Sequence, residues 1–255
     1  MTDLNNMAEI RDLIDRGALF VVNHSGGKDS QAMMIKVREL VPADQIMVIH
    51  ADLSDVEFEG TMEHAKKSAG DFPFITAMNN NKTFFEMVRH RQAFPSPKYR
   101  QCTSDLKRGP IEREIRRYLK DNPQFNGLVV SAMGMRAEES TARAKAVAFK
   151  LNKGNSKAGR EWYDWLPVHD MLIGEVFETI KAAGEEPHWA YAAGMSRLSC
   201  CFCIMGSKKD LQTAAKLVPD MYAAYVALEK EVNHTMNMTG RGLEEVTGIK
   251  VQFNG

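Results

Sequence analysis

The residues best suited to chemistry are Ser25-Gly26-Gly27-Lys28-Asp29-Ser30 and the cysteines Cys102, Cys200, Cys201 and Cys203. Two adjacent glycines let a ligand approach the main chain where a side chain would block it. If a helix starts there, its first N–H groups lack intrahelical acceptors and sit at the positive end of the dipole, which makes an anion site. Ser25 and Ser30 add hydroxyl donors, and Lys28 adds charge. The common nucleotide loop carries a glycine five residues before a Gly-Lys pair, then Ser or Thr. Here position 22 is Val and Asp29 follows Lys28, so the loop is of another kind. Cys200 to Cys203 contain a C-x-x-C step, whose thiolates can grip one metal centre from a single turn. Zinc with further ligands from Cys102, Cys201 or a histidine, an iron–sulfur cluster, and a redox dithiol all fit that step.

The elements around these residues follow from hydrophobic patterning. The run Ala18 to Val22 predicts a buried strand before the glycine turn, and Gln31 to Leu40 predicts the helix after it. Ile46-Met47-Val48-Ile49 is a second strand, ending at His50-Ala51-Asp52. Ligand groups in an open parallel sheet sit just past strand C-termini, so Asp52 is expected beside a ribose, a base or a metal ion. Further helices are expected over 7–16, 60–69, 83–92 and 110–120, with Thr83 and Glu86 forming a capping box. Strands are expected over 73–77, 127–132 and 162–168, and helices over 174–183 and 208–233. Residues 150–160 read as a mobile basic loop. Strands alternating with helices predict an α/β fold with a mainly parallel sheet sandwiched by helices and a mostly helical C-terminal part. The expected division is 1–195 for the nucleotide-binding part and 196–255 for the cysteine segment and helical extension.

The chain of 255 residues is 44% hydrophobic, enough for a sizeable core. Its 33 basic and 33 acidic residues cancel, so no global field drives unspecific nucleic-acid binding. Positive charge is local instead, over 98–120 and 136–160. Arg136 and Arg143, after a strand end, are suited to hold phosphates bidentately. No apolar run approaches the length of a membrane span. The polar start, Met1 to Asn6, is unlike a secretory signal, so a cytoplasmic location is expected. A reducing compartment disfavours disulfides and turns the cysteines towards metal or redox chemistry.

Ser25 to Ser30 resembles the pyrophosphate loop (PP-loop) of the ATP pyrophosphatase superfamily. Four more segments, in order, resemble the phosphoadenylylsulfate (PAPS) reductase family: Arg100 to Pro110, Gly134 to Arg143, Leu166 to Asp170, and Tyr191 to Cys203. The resemblance implies an adenine-nucleotide α-hydrolase-like fold and an enzyme acting between α and β phosphates. It implies ATP, PAPS or adenylylsulfate as ligand, bound by Ser25, Gly26, Gly27, Lys28, Asp29, Ser30, Asp52, Gly134 and Arg136. Lys28, Arg136 and Arg143 would offset charge at the α-phosphate, and Asp29 with Asp52 would help place Mg²⁺. Family members that act on adenylylsulfate hold a [4Fe–4S] cluster on four cysteines, which implies Cys102, Cys200, Cys201 and Cys203 here, with Zn²⁺ as the alternative. The early cysteine pair is reduced to Cys102-Thr103, and the family's late Glu-Cys-Gly nucleophile has no counterpart after Cys203. The reading is therefore a nucleotide-binding enzyme using its cluster in sulfur transfer or redox chemistry. A true reductase working with a partner's thiol and a non-catalytic nucleotide-binding regulator are the alternatives. Expected partners are the nucleotide, a nucleic-acid or thiol-protein acceptor, and further copies of the chain in a homo-oligomer, with no membrane.

Overall fold

Apolar runs at 19–23, 46–51 and 128–133 are buried on both faces, as strands covered by helices on each side must be. The computed structural model describes residues 3–53 and 55–252; the close of the C-terminal extension, 253–255, lies outside them. In chain order the elements are α1 (Asp3–Asp15), β1 (Leu19–Asn23), α2 (Lys28–Leu40), β2 (Ile46–Ala51), α3 (Thr61–Ala69), β3 (Phe74–Ala77), α4 (Phe84–Arg91), α5 (Gly109–Asp121), β4 (Leu128–Met133), α6 (Thr141–Ala144), β5 (Phe149–Leu151), β6 (Glu161–Trp165), α7 (Ile173–Ala182), α8 (Trp189–Ala192), α9 (Lys208–Leu217), α10 (Pro219–Glu231) and α11 (Leu243–Thr247). A π-helical stretch, Cys102–Arg108, leads into α5. The chain divides into a first unit (1–50, 62–77 and 111–187) and a second (51–61, 78–110 and 188–255), so the second gathers three separate stretches.

The first unit carries one sheet in the order β3-β2-β1-β4-β6-β5. β1 pairs in parallel with β2 (Phe20↔Ile46) and with β4 (Leu19↔Val129), and β4 pairs in parallel with β6 (Leu128↔Glu161). β5 runs antiparallel to β6 (Phe149↔Trp165). Side chains alternate between the faces. Phe20, Val22, Val48 and Val130 pack with Met33, Met34 and Val37 of α2, Ile10 and Leu13 of α1, and Val176 and Ile180 of α7. Leu19, Val21, Met47, Ile49 and Val129 pack with Ile115 and Leu119 of α5 and with Trp162. The expected α/β fold with a mainly parallel sheet between helices is what forms. Sequence order reverses on either side of β1, so the crevice past β1 and β4 is the switch point where such sheets bind ligands.

Residues 150–160, expected as a mobile basic loop, hold the last two residues of the edge strand β5 and a turn closed by side-chain hydrogen bonds. Asn152 Oδ1 accepts from Asn155 N–H (3.1 Å), and Ser156 Oγ accepts from Trp162 N–H (3.0 Å). The helical stretch expected over 208–233 forms as α9 and α10, parted because Pro219 has no N–H for an α9 carbonyl and instead opens α10 from its first turn.

The second unit is helical around an aromatic core. The ring of Tyr225 lies 5.6 Å from Phe84, 5.1 Å from Phe85 and 5.1 Å from Phe202. α4 begins with the expected capping box, Glu86 N–H to Thr83 Oγ1 and Thr83 N–H to Glu86 Oε2. Among the described residues no helix is long and apolar enough to cross a membrane.

Candidate functional site

The glycine loop joins β1 to α2 within the first unit. Asn23 donates from Nδ2 to Ser131 Oγ (2.9 Å) and to the Ala132 carbonyl (2.8 Å), tying the ends of β1 and β4 together. Gly26 turns the chain at φ +77°, a conformation that favours glycine. The loop is tied internally. Ser30 Oγ accepts from Ser25 N–H (3.1 Å) and donates to the Gly27 carbonyl (2.8 Å). Gly26 N–H donates to His24 Nδ1 (3.1 Å). The amides of Ser25 and Gly26 thus serve the loop itself. α2 starts at Lys28 with Gly27 as N-cap and no side chain capping it, so the dipole end of α2 is left for an anion.

His24 is a part of this loop that sequence patterning does not reveal. It is buried, its N–H bonds the Ile49 carbonyl (2.9 Å), and its own carbonyl accepts from His50 Nδ1 (2.8 Å). Burial first, then the charges of His64 and His50, push its pKa down to about 3. A neutral imidazole that accepts at Nδ1 carries its proton on Nε2, so the tautomer follows from the Gly26 contact.

Gly134, just past β4, lies against the start of α2. A Cβ there would stand 2.8 Å from Asp29 C, 2.8 Å from Ser30 N and 2.9 Å from Asp29 O, all main-chain atoms. The charged residues form a paired network. Asp29 Oδ2 pairs with Lys28 Nζ (3.1 Å), and Asp29 Oδ1 accepts from Arg136 Nε (2.6 Å). Arg136 is 3% exposed, and its Nη1 also bonds Glu138 and the Met171 carbonyl (3.2 Å). Burial opposes its charge, but Glu138 and Asp29 together leave its pKa raised, so it stays a cation. Arg143 pairs with Glu139 and keeps partial exposure. His169 links the two segments after β4 and β6, with Nε2 2.9 Å from the Arg143 carbonyl and its own carbonyl accepting from Ala137 N–H (2.7 Å).

The expected loop residues and Gly134, Arg136 and Arg143 thus all lie in the first unit, with Asp29 directly joined to Lys28 and Arg136. Each carboxylate oxygen of Asp29 accepts one hydrogen bond from a cation, Oδ2 from Lys28 and Oδ1 from Arg136, and each keeps a further lone pair. Asp52 follows the end of β2, half-buried, and falls in the second unit. Of the basic cluster, Arg113 and Arg117 pair with Glu114 and Arg116 with Glu112, forming a solvated helix face.

The cysteines all belong to the second unit. Cys102 opens the π-helical stretch, and burial first, then Cys203, raises its pKa. Burial pushes the Cys200 thiol up to about 12 against the pull of Lys107, with Cys203, Glu57 and Cys102 adding to the rise. Cys201 is in the hydrophobic core, its N–H on the Val56 carbonyl (2.8 Å), and burial followed by Cys200 raises its pKa. Burial disfavours the Lys107 charge, yet Cys200, Glu57, Cys203 and Cys102 together raise its pKa. Lys107 thus feels the charge of Cys102, Cys200 and Cys203, while Cys201 is a buried member of the core that Cys102 and Cys200 pack against. Among the described residues no three Cys, His, Asp or Glu groups stand where they could hold a metal ion. Lys107 reads in sequence only as one member of a basic cluster; its spacing from Cys102 carries no signal without the fold.

Residues 20–205 match the profile of the family described as the phosphoadenosine phosphosulfate reductase domain. No curated protein matches the chain. Among solved structures, the phosphoadenylyl-sulfate reductase of Candida auris, in a phosphate complex, is similar at 12% identity and a TM-score of 0.46, over 71% of this chain and 80% of that one. The Candida glabrata FMN adenylyltransferase, in complex with FAD and inorganic pyrophosphate, is similar at 11% identity and a TM-score of 0.47. That match covers 72% of this chain and 55% of the other, so this chain spans just over half of that enzyme. Likenesses this distant carry no functional weight.

Proposed function

The chain belongs to the phosphoadenosine phosphosulfate reductase domain family, and from that premise we propose an enzyme that acts on an adenosine nucleotide, ATP or a sulfonucleotide, held by the loop from Ser25 to Ser30. The observation that carries this reading is the uncapped start of α2 at the switch point of the sheet, with Gly134 lying against it. The pyrophosphate sits on the amides at the start of α2. Ser25 and Ser30 shape the turn through their mutual contact (3.2 Å). Lys28 and Arg136 act through Asp29: they hold its carboxylate still and balance it, so that the carboxylate does not repel the incoming phosphates. Arg143, the more exposed arginine, supplies charge as the α-phosphate is attacked. Mg²⁺ would arrive with the nucleotide, and the lone pairs left on the Asp29 carboxylate would help to place it.

The cysteine segment is read separately. Soft thiols gathered near one cation suit a thiolate-bound iron–sulfur cluster or zinc, since Lys107 offsets the negative charge of such a centre. Cys102, Cys200 and Cys203 would be its first ligands, and they would have to draw together to hold it, since they do not stand in metal-binding positions here. Cys201 is the fourth candidate and would have to leave the core. When bound, a cluster supplies electron or sulfur transfer, whereas zinc supplies structure.

Anaerobic purification followed by iron, sulfide and zinc analysis tests the second part, and ATP turnover followed by phosphorus NMR tests the first. Iron with matching sulfide, and pyrophosphate with AMP or an adenylylated acceptor, support the reading. Zinc without sulfide removes the redox role, and ADP with phosphate removes the α–β cleavage.

A further inference from the structure

Residues 140–160 contain Arg143, Lys145, Lys150, Lys153, Lys157 and Arg160 and no Asp or Glu. Arg143 pairs with Glu139. Among the described residues, Lys145, Lys150, Lys153, Lys157 and Arg160 have no ion-pair partner. Elsewhere in the same unit Arg16, Lys36, Arg38, Arg116 and Arg117 each have one. The nearby carboxylates are already engaged. Asp164, opposite Lys150 in the register, accepts from Asn152 Nδ2 (3.0 Å), and Glu161 accepts from Arg16 (2.7 Å) and Tyr163 (2.5 Å).

These charges stand on a firm support. The β5–β6 turn is closed by Asn152 and Ser156, and the Gly159 carbonyl lies where a Cβ on Gly127 would come within 2.8 Å. Lys145, Lys150, Lys153 and Lys157 are exposed: Lys150 on the edge strand β5, Lys145 at the end of α6, and Lys153 and Lys157 in the β5–β6 turn.

We propose that this β5–β6 hairpin, with Lys145 before it, is a docking surface for the phosphate backbone of a nucleic acid. A polyanion matches a cluster of basic groups without ion-pair partners on a hydrogen-bonded hairpin, and counterion release from that polyanion drives binding. Contacts are to phosphates and not to bases, because the hairpin exposes no aromatic side chain for stacking and its lysines lack the bidentate fork. A membrane is a poorer match, since the segment has no amphipathic helix. An acidic peptide adding to the edge of β5 would find a strand of three residues. The proposal is independent of the nucleotide site.

The test uses the full chain and a labelled mixed-sequence DNA duplex of about 20 base pairs, read by fluorescence anisotropy across a salt series. Five phosphate contacts give a log–log slope of about −4.5, which is about a 500-fold loss of affinity between about 50 and about 200 mM salt. The K150Q/K153Q/K157Q variant, with two contacts left, loses only about 12-fold over the same range and binds more weakly at low salt. K36Q, which removes an exposed lysine that already has a partner, binds as the wild type does. Circular dichroism confirms that each variant is folded, and ATP titration of the triple variant reads the nucleotide site separately. Failure of the wild type to bind the duplex at low salt overturns the proposal. So does wild-type binding by the triple variant. Equal competition by polyglutamate would reassign the surface to acidic proteins.

Discussion

Replacing Gly134 by alanine probes the loop without touching a charge. The new methyl would stand 2.8 Å from two main-chain atoms of Asp29 and Ser30, and ordinary contact begins at 3.4 Å. Either the end of β4 or the first turn of α2 must therefore retreat by about 0.6 Å, with neighbours that are backbone and cannot rotate away. Overpacking of this kind costs about 1–3 kcal/mol of stability. The displaced turn carries the amides proposed to bind phosphate, and a misplacement near 1 Å can cost about 100-fold in function. Calorimetric titration with ATP is expected to show binding weakened by at least about tenfold, alongside a lower urea midpoint. G174A is the control: nothing lies within 4 Å of its Cβ, so it should bind ATP normally and gain about 0.5 kcal/mol from helix propensity. Normal ATP affinity in G134A, with stability unchanged, would refute the reasoning.

Other substitutions test the remaining parts. Asp29→Ala leaves Lys28 and Arg136 short of a counter-charge and should cost about 3 kcal/mol, part of which saturating phosphate restores; equal melting temperatures with and without phosphate would count against the clamp. His24 has a folded pKa near 3, below its unfolded value, so the unfolded chain binds more protons between those values. Its contribution to stability is present above about pH 6.5 and is lost as pH falls towards about 3, and H24N should flatten that acid limb in urea titrations at successive pH. Glu229 is buried and accepts from Met236 N–H (2.7 Å) and Leu243 N–H (2.8 Å). Glu229→Ala orphans two amides and should cost about 2–4 kcal/mol, with faster proteolysis over 235–243, whereas unchanged digestion would show the loop is held otherwise.

The strand, glycine turn and helix at 19–40 were legible because an apolar run, two glycines and a helix-forming run stand consecutively there. The Thr83 capping box was legible for the same local reason, since three residues carry the whole signal. Arg136 and Asp29 are 107 residues apart, so no local pattern could show that one holds the other. β5 escaped notice because three residues, two of them exposed, cannot display an alternation. The adjacent cysteines suggested one ligand set, yet neighbours on a turn diverge, and Cys201 points to the core while Cys200 meets Lys107.

The central claim is that main-chain amides at the start of α2 receive the phosphate chain. Amide chemical shifts of the isotope-labelled protein, followed during titration with ATP, pyrophosphate and adenosine, test it most directly. The account expects the amides of Gly27, Lys28 and Asp29 to move with ATP and with pyrophosphate, and to stay still with adenosine. Binding of ATP that leaves those three amides unmoved would contradict it.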